Sequence, residues 1–231
     1  MLLPLKDQNP LRRVRFQYVT VAAIAACVAV FLWQLGLDPR EARRALLAYG
    51  VVPAVLFDYK DLPAAIAVVP APLTLVTSMF LHGGWMHLLG NMLFLWVLGD
   101  NVEDATGHAR FVVFYLLAGI AAGLAQSAVA PQSTVPMIGA SGAISGVLGA
   151  YFILFPHASV LTLVIFGFFW RVVRIPAILV LGFWMVVQIL NGLGSFGAGG
   201  GVAWFAHIGG FFAGMGLLLL LRPRPARRPW S

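Results

Sequence analysis

Ser141 stands in the run Gly139-Ala140-Ser141-Gly142, at the head of an apolar stretch. His207 stands in Ala206-His207-Ile208-Gly209-Gly210, inside the last apolar stretch of the chain. A hydroxyl and an imidazole are the minimum parts of a nucleophilic hydrolase, because the ring takes the proton that makes the oxygen reactive. A third group of polar residues lies between them in type but earlier in sequence: His82, His87 and Asn91. His87 and Asn91 are four apart and share one helix face, so both can aim at one site as side-chain donors. His82 sits five residues before His87, is rotated off that face, and is expected to brace the outer loop. All of these groups fall where hydrocarbon is the default solvent, a costly placement that asks for a functional reason.

The setting is read from composition. The chain has 231 residues, 61% of them hydrophobic and 10% charged. An ordinary globular domain is about 25% charged. Several stretches run uncharged for about 20 residues, the length that crosses a bilayer. Six spans are predicted, at 17–36, 80–99, 111–130, 141–156, 175–190 and 202–221. Residues 62–78 carry Pro63, Pro70 and Pro72 and are expected to be irregular at the membrane surface. Residues 158–170 form an apolar run too short to cross as a helix, and are expected to be interfacial or partly re-entrant. Phe16–Leu37 is longer than the apolar core of a cleaved signal, so it is read as a retained first span.

The net charge of +7 would suit nucleic acid if it were clustered. It flanks the apolar runs instead. With the N-terminus inside, the inner segments hold Lys6, Arg12, Arg13, Arg15, Arg110, Arg171, Arg174, Arg222, Arg224, Arg227 and Arg228, which favours six spans with both termini cytoplasmic. The first outer loop, 37–78, holds Pro39–Tyr49, whose mixture of Arg40, Arg43 and Arg44 with Leu46 and Leu47 suits an interface-lying helix. The single cysteine, Cys27, excludes an internal disulfide. The expected organisation is an N-terminal cytoplasmic segment 1–15, a membrane domain 16–222 and a basic tail 223–231, all-α in class.

Elements then place the chemistry. Span four starts at Ser141 from the outer side, so a helix N-terminus with unpaired N–H groups lies at the serine. Such donors suit a developing oxyanion. The plainer alternative is that Gly139, Gly142, Gly146 and Gly149 make a packing face and Ser141 merely caps a helix. His207 near the outer end of span six tips the balance, because glycines at 209, 210 and 214 allow another helix to approach closely. No acid is placed to complete a triad: Asp100, Glu103 and Asp104 fall at the inner end of span two, and Asp38, Glu41, Asp58 and Asp61 fall in the first outer loop. The carboxylates at 100–104 are expected to face the inner surface. There is no His-Glu-x-x-His pattern and no intramembrane aspartate pair, which argues against metal-dependent and aspartyl proteolysis.

These markers together make the chain resemble the rhomboid family of intramembrane serine proteases over about residues 15–222. The resemblance implies Ser141 as nucleophile, His207 as base, and an oxyanion pocket from His87, Asn91 and the Ser141 backbone N–H. It also implies a compact bacterial-type bundle of six helices in a cell inner membrane, transmembrane proteins as substrates, and the lipid bilayer as surroundings. No cofactor, no metal and no nucleic-acid partner is expected, and the oligomeric state is open. Two positions depart from many relatives: Leu73-Thr74 stands where they carry a Trp-Arg pair, and Ser145 stands where some carry an aromatic beneath the histidine. A non-catalytic rhomboid-like client-binding protein and a small transporter are the rival readings.

Overall fold

The computed structural model describes residues 2–195 and 202–221. The expected basic tail 223–231, and Arg222 before it, lie outside the described residues. In chain order the elements are β1 (Leu2–Asp7), α1 (Tyr18–Leu35), α2 (Pro39–Tyr49), α3 (Pro53–Leu56), α4 (Ala71–Thr77) with a 3-10 turn at Ser78–Phe80, α5 (Trp85–Thr106), α6 (His108–Val129), α7 (Ser141–Leu154), β2 (Ser159–Phe166), β3 (Phe169–Pro176), α8 (Ala177–Gly194) and α9 (Trp204–Leu221). The protein is mostly helical. Four helices, α1, α6, α8 and α9, are long and apolar enough to cross a membrane. Helix α7 has 14 residues, about 21 Å at 1.5 Å per residue. Helix α5 has 22 residues but carries Asp100, Glu103 and Asp104 in its last turns.

Helix α7 is the hub. Every residue from Gly142 to Tyr151 is buried, which is why a helix shorter than the hydrocarbon core is tolerated: its neighbours, and not lipid, surround it. Its small residues set the packing distance. A Cβ on Gly149 would strike the Phe211 carbonyl of α9, and one on Gly210 of α9 would strike the carbonyl of Gly142. On its other side a Cβ at Gly146 would come 2.5 Å from the Cβ of Ala118 of α6. Helices α6, α7 and α9 therefore meet backbone to backbone, the arrangement that small residues permit where lipid gives no hydrophobic drive to associate.

The span predicted at 80–99 is shifted: the helix runs from Trp85 to Thr106. Its extension past Leu98 carries Glu103 and Asp104, which are buried and not surface groups as expected. Glu103 is fully buried. It accepts from the Val19 and Thr20 backbone N–H groups at 3.0 and 2.8 Å and from the Thr20 hydroxyl at 2.7 Å, capping the start of α1. Asp104 accepts from the backbone N–H groups of Arg12, Arg13 and Val14. Charge-assisted bonds of this kind are the strong ones, and here they stitch the N-terminal segment to the base of the bundle.

Two further expectations change. Residues 71–80 are helical rather than irregular, with Pro72 in the first turn, where a missing N–H costs nothing. The stretch 158–170 is not a helix. Together with β1 it builds a three-stranded antiparallel sheet in the order β1-β2-β3, which the helical expectation lacked. Val160, Thr162, Val164 and Ile165 in β2 and Val172, Val173 and Ile175 in β3 are β-branched residues that favour strands. The turn between them has two residues, with Gly167 at φ 58°, the first-position glycine that a II′ hairpin turn requires. Tyr151 in the last turn of α7 donates to Asp7 at 2.8 Å and accepts from Asn9 at 2.8 Å. Burial holds the Asp7 carboxyl above its ordinary pKa.

Candidate active site

Ser141 is the first residue of α7. The strand-like segment before it is pinned from several sides: Met137 and Val51 exchange backbone bonds at 2.8 and 3.0 Å, and the Gly139 N–H donates to the Ser78 carbonyl at 2.8 Å. Gly139 has φ +116°, a conformation open to glycine and strained for other residues. It also has no room for a side chain. A Cβ there would lie 2.6 Å from His87 Nε2 and 3.6 Å from Asn91 Nδ2. His87 and Asn91 of α5 thus face the backbone two residues before Ser141.

The hydrogen-bond pattern sets which of their nitrogens can donate. The Gly83 N–H donates to His87 Nδ1 at 3.3 Å, so a neutral His87 ring carries its proton on Nε2, the nitrogen nearest Gly139. Asn91 is 9% exposed, and its Nδ2 has no hydrogen-bond partner. Buried donors are nearly always paired, and an exception calls for an explanation. Two N–H donors, one of them unused, therefore converge beside the helix start that carries the serine.

His207 lies in the first turn of α9. The contacts between Gly142 and Gly210 and between Gly146 and Gly214 show that α7 and α9 run parallel, so Ser141 and His207 sit at the same end of the pair. The His207 ring is held by groups the sequence did not single out. Its Nδ1 lies 2.7 Å from Oε1 of Gln188 on α8. Gln188 Nε2 donates to the Trp184 carbonyl at 3.3 Å, which sets the amide so that Oε1 faces the ring. An amide oxygen only accepts, so the His207 proton resides on Nδ1 and the Nε2 lone pair is free. Trp184 and Trp204 flank the ring with centroids 5.8 and 6.3 Å away. Ser145, standing where some rhomboids have an aromatic, turns its hydroxyl back onto the Ser141 carbonyl at 2.6 Å.

His82 departs from its expected separation. It precedes α5 and is not on the helix, and its backbone exchanges bonds with the Gln34 amide at 3.0 and 3.2 Å. That exchange ties the segment before α5 to α1, and the His82 ring also packs edge-on against His87 at 5.1 Å. Gln126 of α6 was likewise not anticipated. Its Oε1 accepts from the N–H groups of Phe205 and Ala206, satisfying the start of α9 just before the histidine. Polar glutamines inside apolar helices, at 126 and 188, were the available signal for both. Among the described residues no group of three or more His, Cys, Asp or Glu side chains is arranged to hold a metal ion.

Comparison with known proteins bears on this geometry. The family model described as "Rhomboid domain" matches residues 71–224. The chain is 36% identical over 143 residues to Rhomboid protease GluP of Bacillus subtilis, covering 62% of this chain and 25% of that protein. It is 34% identical over 151 residues to RHOMBOID-like protein 4 of Arabidopsis thaliana, covering 64% of this chain and 34% of that one. It is 30% identical over 167 residues to Rhomboid-like protein 11, chloroplastic, of the same plant, covering 68% of this chain and 55% of that one. The chain thus spans about a third to just over half of the length of these plant relatives. Mitochondrial and chloroplastic names occur beside the bacterial one, so likeness alone does not select the membrane.

Proposed function

We propose that this chain, which belongs to the rhomboid family, is an intramembrane serine endopeptidase that cuts transmembrane segments of other membrane proteins. Six helices form its membrane domain, residues 16–222: α1, α5, α6, α7, α8 and α9. The basic residues favour both termini on the cytoplasmic side, which puts the Ser141 end of α7 toward the outer face. In this reading Ser141 Oγ attacks the scissile carbonyl carbon while His207 Nε2 takes its proton. The oxygen becomes an anion held by His87 Nε2–H, Asn91 Nδ2–H and the Ser141 backbone N–H. His207 then gives its proton to the leaving amine, and a water molecule, deprotonated by the same nitrogen, hydrolyses the acyl-enzyme.

The observation that carries this reading is the matched pair of tautomers. Gly83 makes His87 a donor on Nε2, Gln188 makes His207 an acceptor on Nε2, and Asn91 holds an unspent N–H between α5 and the serine turn. A packing motif or a client-binding groove needs none of this. The test is labelling of the lipid-reconstituted protein with a fluorophosphonate, with the adduct mapped by peptide sequencing. An adduct on Ser141, lost in His207→Ala, is expected. A wild-type protein that cleaves no membrane substrate and takes no adduct would leave the non-catalytic reading in its place.

A further inference from the structure

The hairpin β2–β3 carries an apolar tip that none of the described residues covers. Phe168 is fully exposed, and Phe166, Phe169 and Trp170 are each at least 72% exposed. Water is a poor solvent for four adjacent aromatic rings, and contiguous exposed apolar surface marks an interaction site.

The register says which way the tip looks. Val160 and Thr162 of β2 are buried, so their face of the sheet is the one turned to the helices. Alternation puts Val164 and Phe166 on that same face. Their cross-strand partners Arg171 and Phe169 share it. Val160 to Phe166 is six steps, about 20 Å along the strand. The tip therefore carries the bundle-facing side of the sheet well beyond the part that the bundle covers. What lies there is set by β3, which passes at Pro176 directly into α8, a helix apolar enough to cross the membrane. The base of the hairpin is thus at the membrane boundary, and its bundle-facing side beyond the bundle looks at lipid.

Charge selects the kind of lipid. None of the chain's eight acidic residues lies beyond Asp104, and the hairpin holds Arg171 and Arg174 with no carboxylate. Aromatic residues with a flanking arginine match the water–hydrocarbon interface, and basic residues at a membrane surface favour anionic headgroups.

We propose that the β2–β3 hairpin is an interfacial anchor whose aromatic tip enters the anionic headgroup layer of the leaflet adjoining the start of α8, with Arg171 on lipid phosphate. This rests on α8 crossing the membrane and not on the catalytic reading. An active or inactive protease would carry the same anchor.

The test uses the whole chain in nanodiscs of phosphatidylcholine alone or with phosphatidylglycerol. Cys27 is fully buried, so Phe168→Cys supplies one accessible thiol for a spin label. The exposed Gln8→Cys serves as the aqueous reference. In anionic discs the label at 168 should collide far less with a water-soluble nickel chelate, and more with oxygen, than the label at 8. Adding Arg171→Glu should weaken insertion by at least about fivefold, the factor for one basic residue at an anionic surface. Nickel access at 168 equal to that at 8 in both lipids would overturn the anchor. Dipolar broadening that grows with copies per disc would assign the tip to a second chain instead. Equal insertion in both lipids, indifferent to Arg171, would overturn the headgroup assignment.

Discussion

Gln188→Leu removes the acceptor from His207 while keeping nearly the same volume in α8. Gln188 is 5% exposed, so no bulk water replaces the lost oxygen. The His207 Nδ1–H, now 2.7 Å from Oε1, becomes a buried donor without a partner. Leaving such a group unpaired costs about 1–3 kcal/mol. The loss is largest when the ring holds two protons, as it does after taking the Ser141 proton, so the cost falls on the transition state. Converted to rate, it amounts to about 5- to 150-fold in kcat. KM should stay put, because Gln188 touches the ring and not the substrate. The assay is cleavage of a fluorogenic transmembrane peptide in liposomes, with kcat drawn from a series of peptide-to-lipid ratios and the melting temperature measured in parallel. Gln188→Glu keeps an acceptor oxygen toward Nδ1 and should recover part of the rate. A Leu variant that melts normally and turns over within about twofold of the parent would refute the argument, since that corresponds to under 0.5 kcal/mol in the barrier.

Other perturbations separate chemistry from packing. Asn91→Ala should cut kcat by roughly 10- to 1000-fold without lowering the melting temperature, because its Nδ2 has no partner to lose. A full-rate variant would remove Asn91 from the oxyanion pocket. Gly210→Leu must push α9 off the Gly142 carbonyl; overpacking of this kind costs about 1–3 kcal/mol, and both melting temperature and fluorophosphonate labelling should fall together. Labelling at the parent rate would show that α7–α9 spacing does not set the dyad. Glu103→Ala strips three donors of α1 of their acceptor and should destabilise by at least about 2 kcal/mol, seen as a lower denaturation midpoint in mild detergent; an unchanged midpoint would mean water caps α1 as well as the carboxylate does.

The helical elements were largely legible because apolar length is a local property. Tyr18–Leu35, His108–Val129 and Trp204–Leu221 fall within three residues of the spans drawn from hydropathy, close to an ordinary boundary error. The failures are where a distant partner decides. Residues 158–170 are apolar enough for a buried helix, and only pairing with Leu2–Asp7 on one side and Phe169–Pro176 on the other makes a strand of β2. Alternating β-branched residues were the local hint, but a short apolar run is ambiguous between strand and helix. The end of α5 failed for the same reason. Asp100, Glu103 and Asp104 read as a solvated helix terminus, whereas Thr20 and Arg13, more than 80 positions earlier in the sequence, consume Glu103 and Asp104.

The site divides along the same line. Ser141, His207, His87 and Asn91 are candidates on sequence alone because each is a reactive or donor side chain at a depth where polarity is expensive. What could not be picked out is the machinery that assigns each ring its proton. Gly83 and Gln188 do this through one hydrogen bond apiece, from a loop and from a helix that carry no reacting group. The proposed dyad, with no acid, requires some other acceptor for the far nitrogen of its base. In a helix bundle that acceptor need not be charged, since an ionised carboxylate in hydrocarbon costs more than an amide does. Gln188 supplies the acceptor at that lower cost, which accounts for a histidine fixed in one tautomer where no carboxylate is near it in sequence.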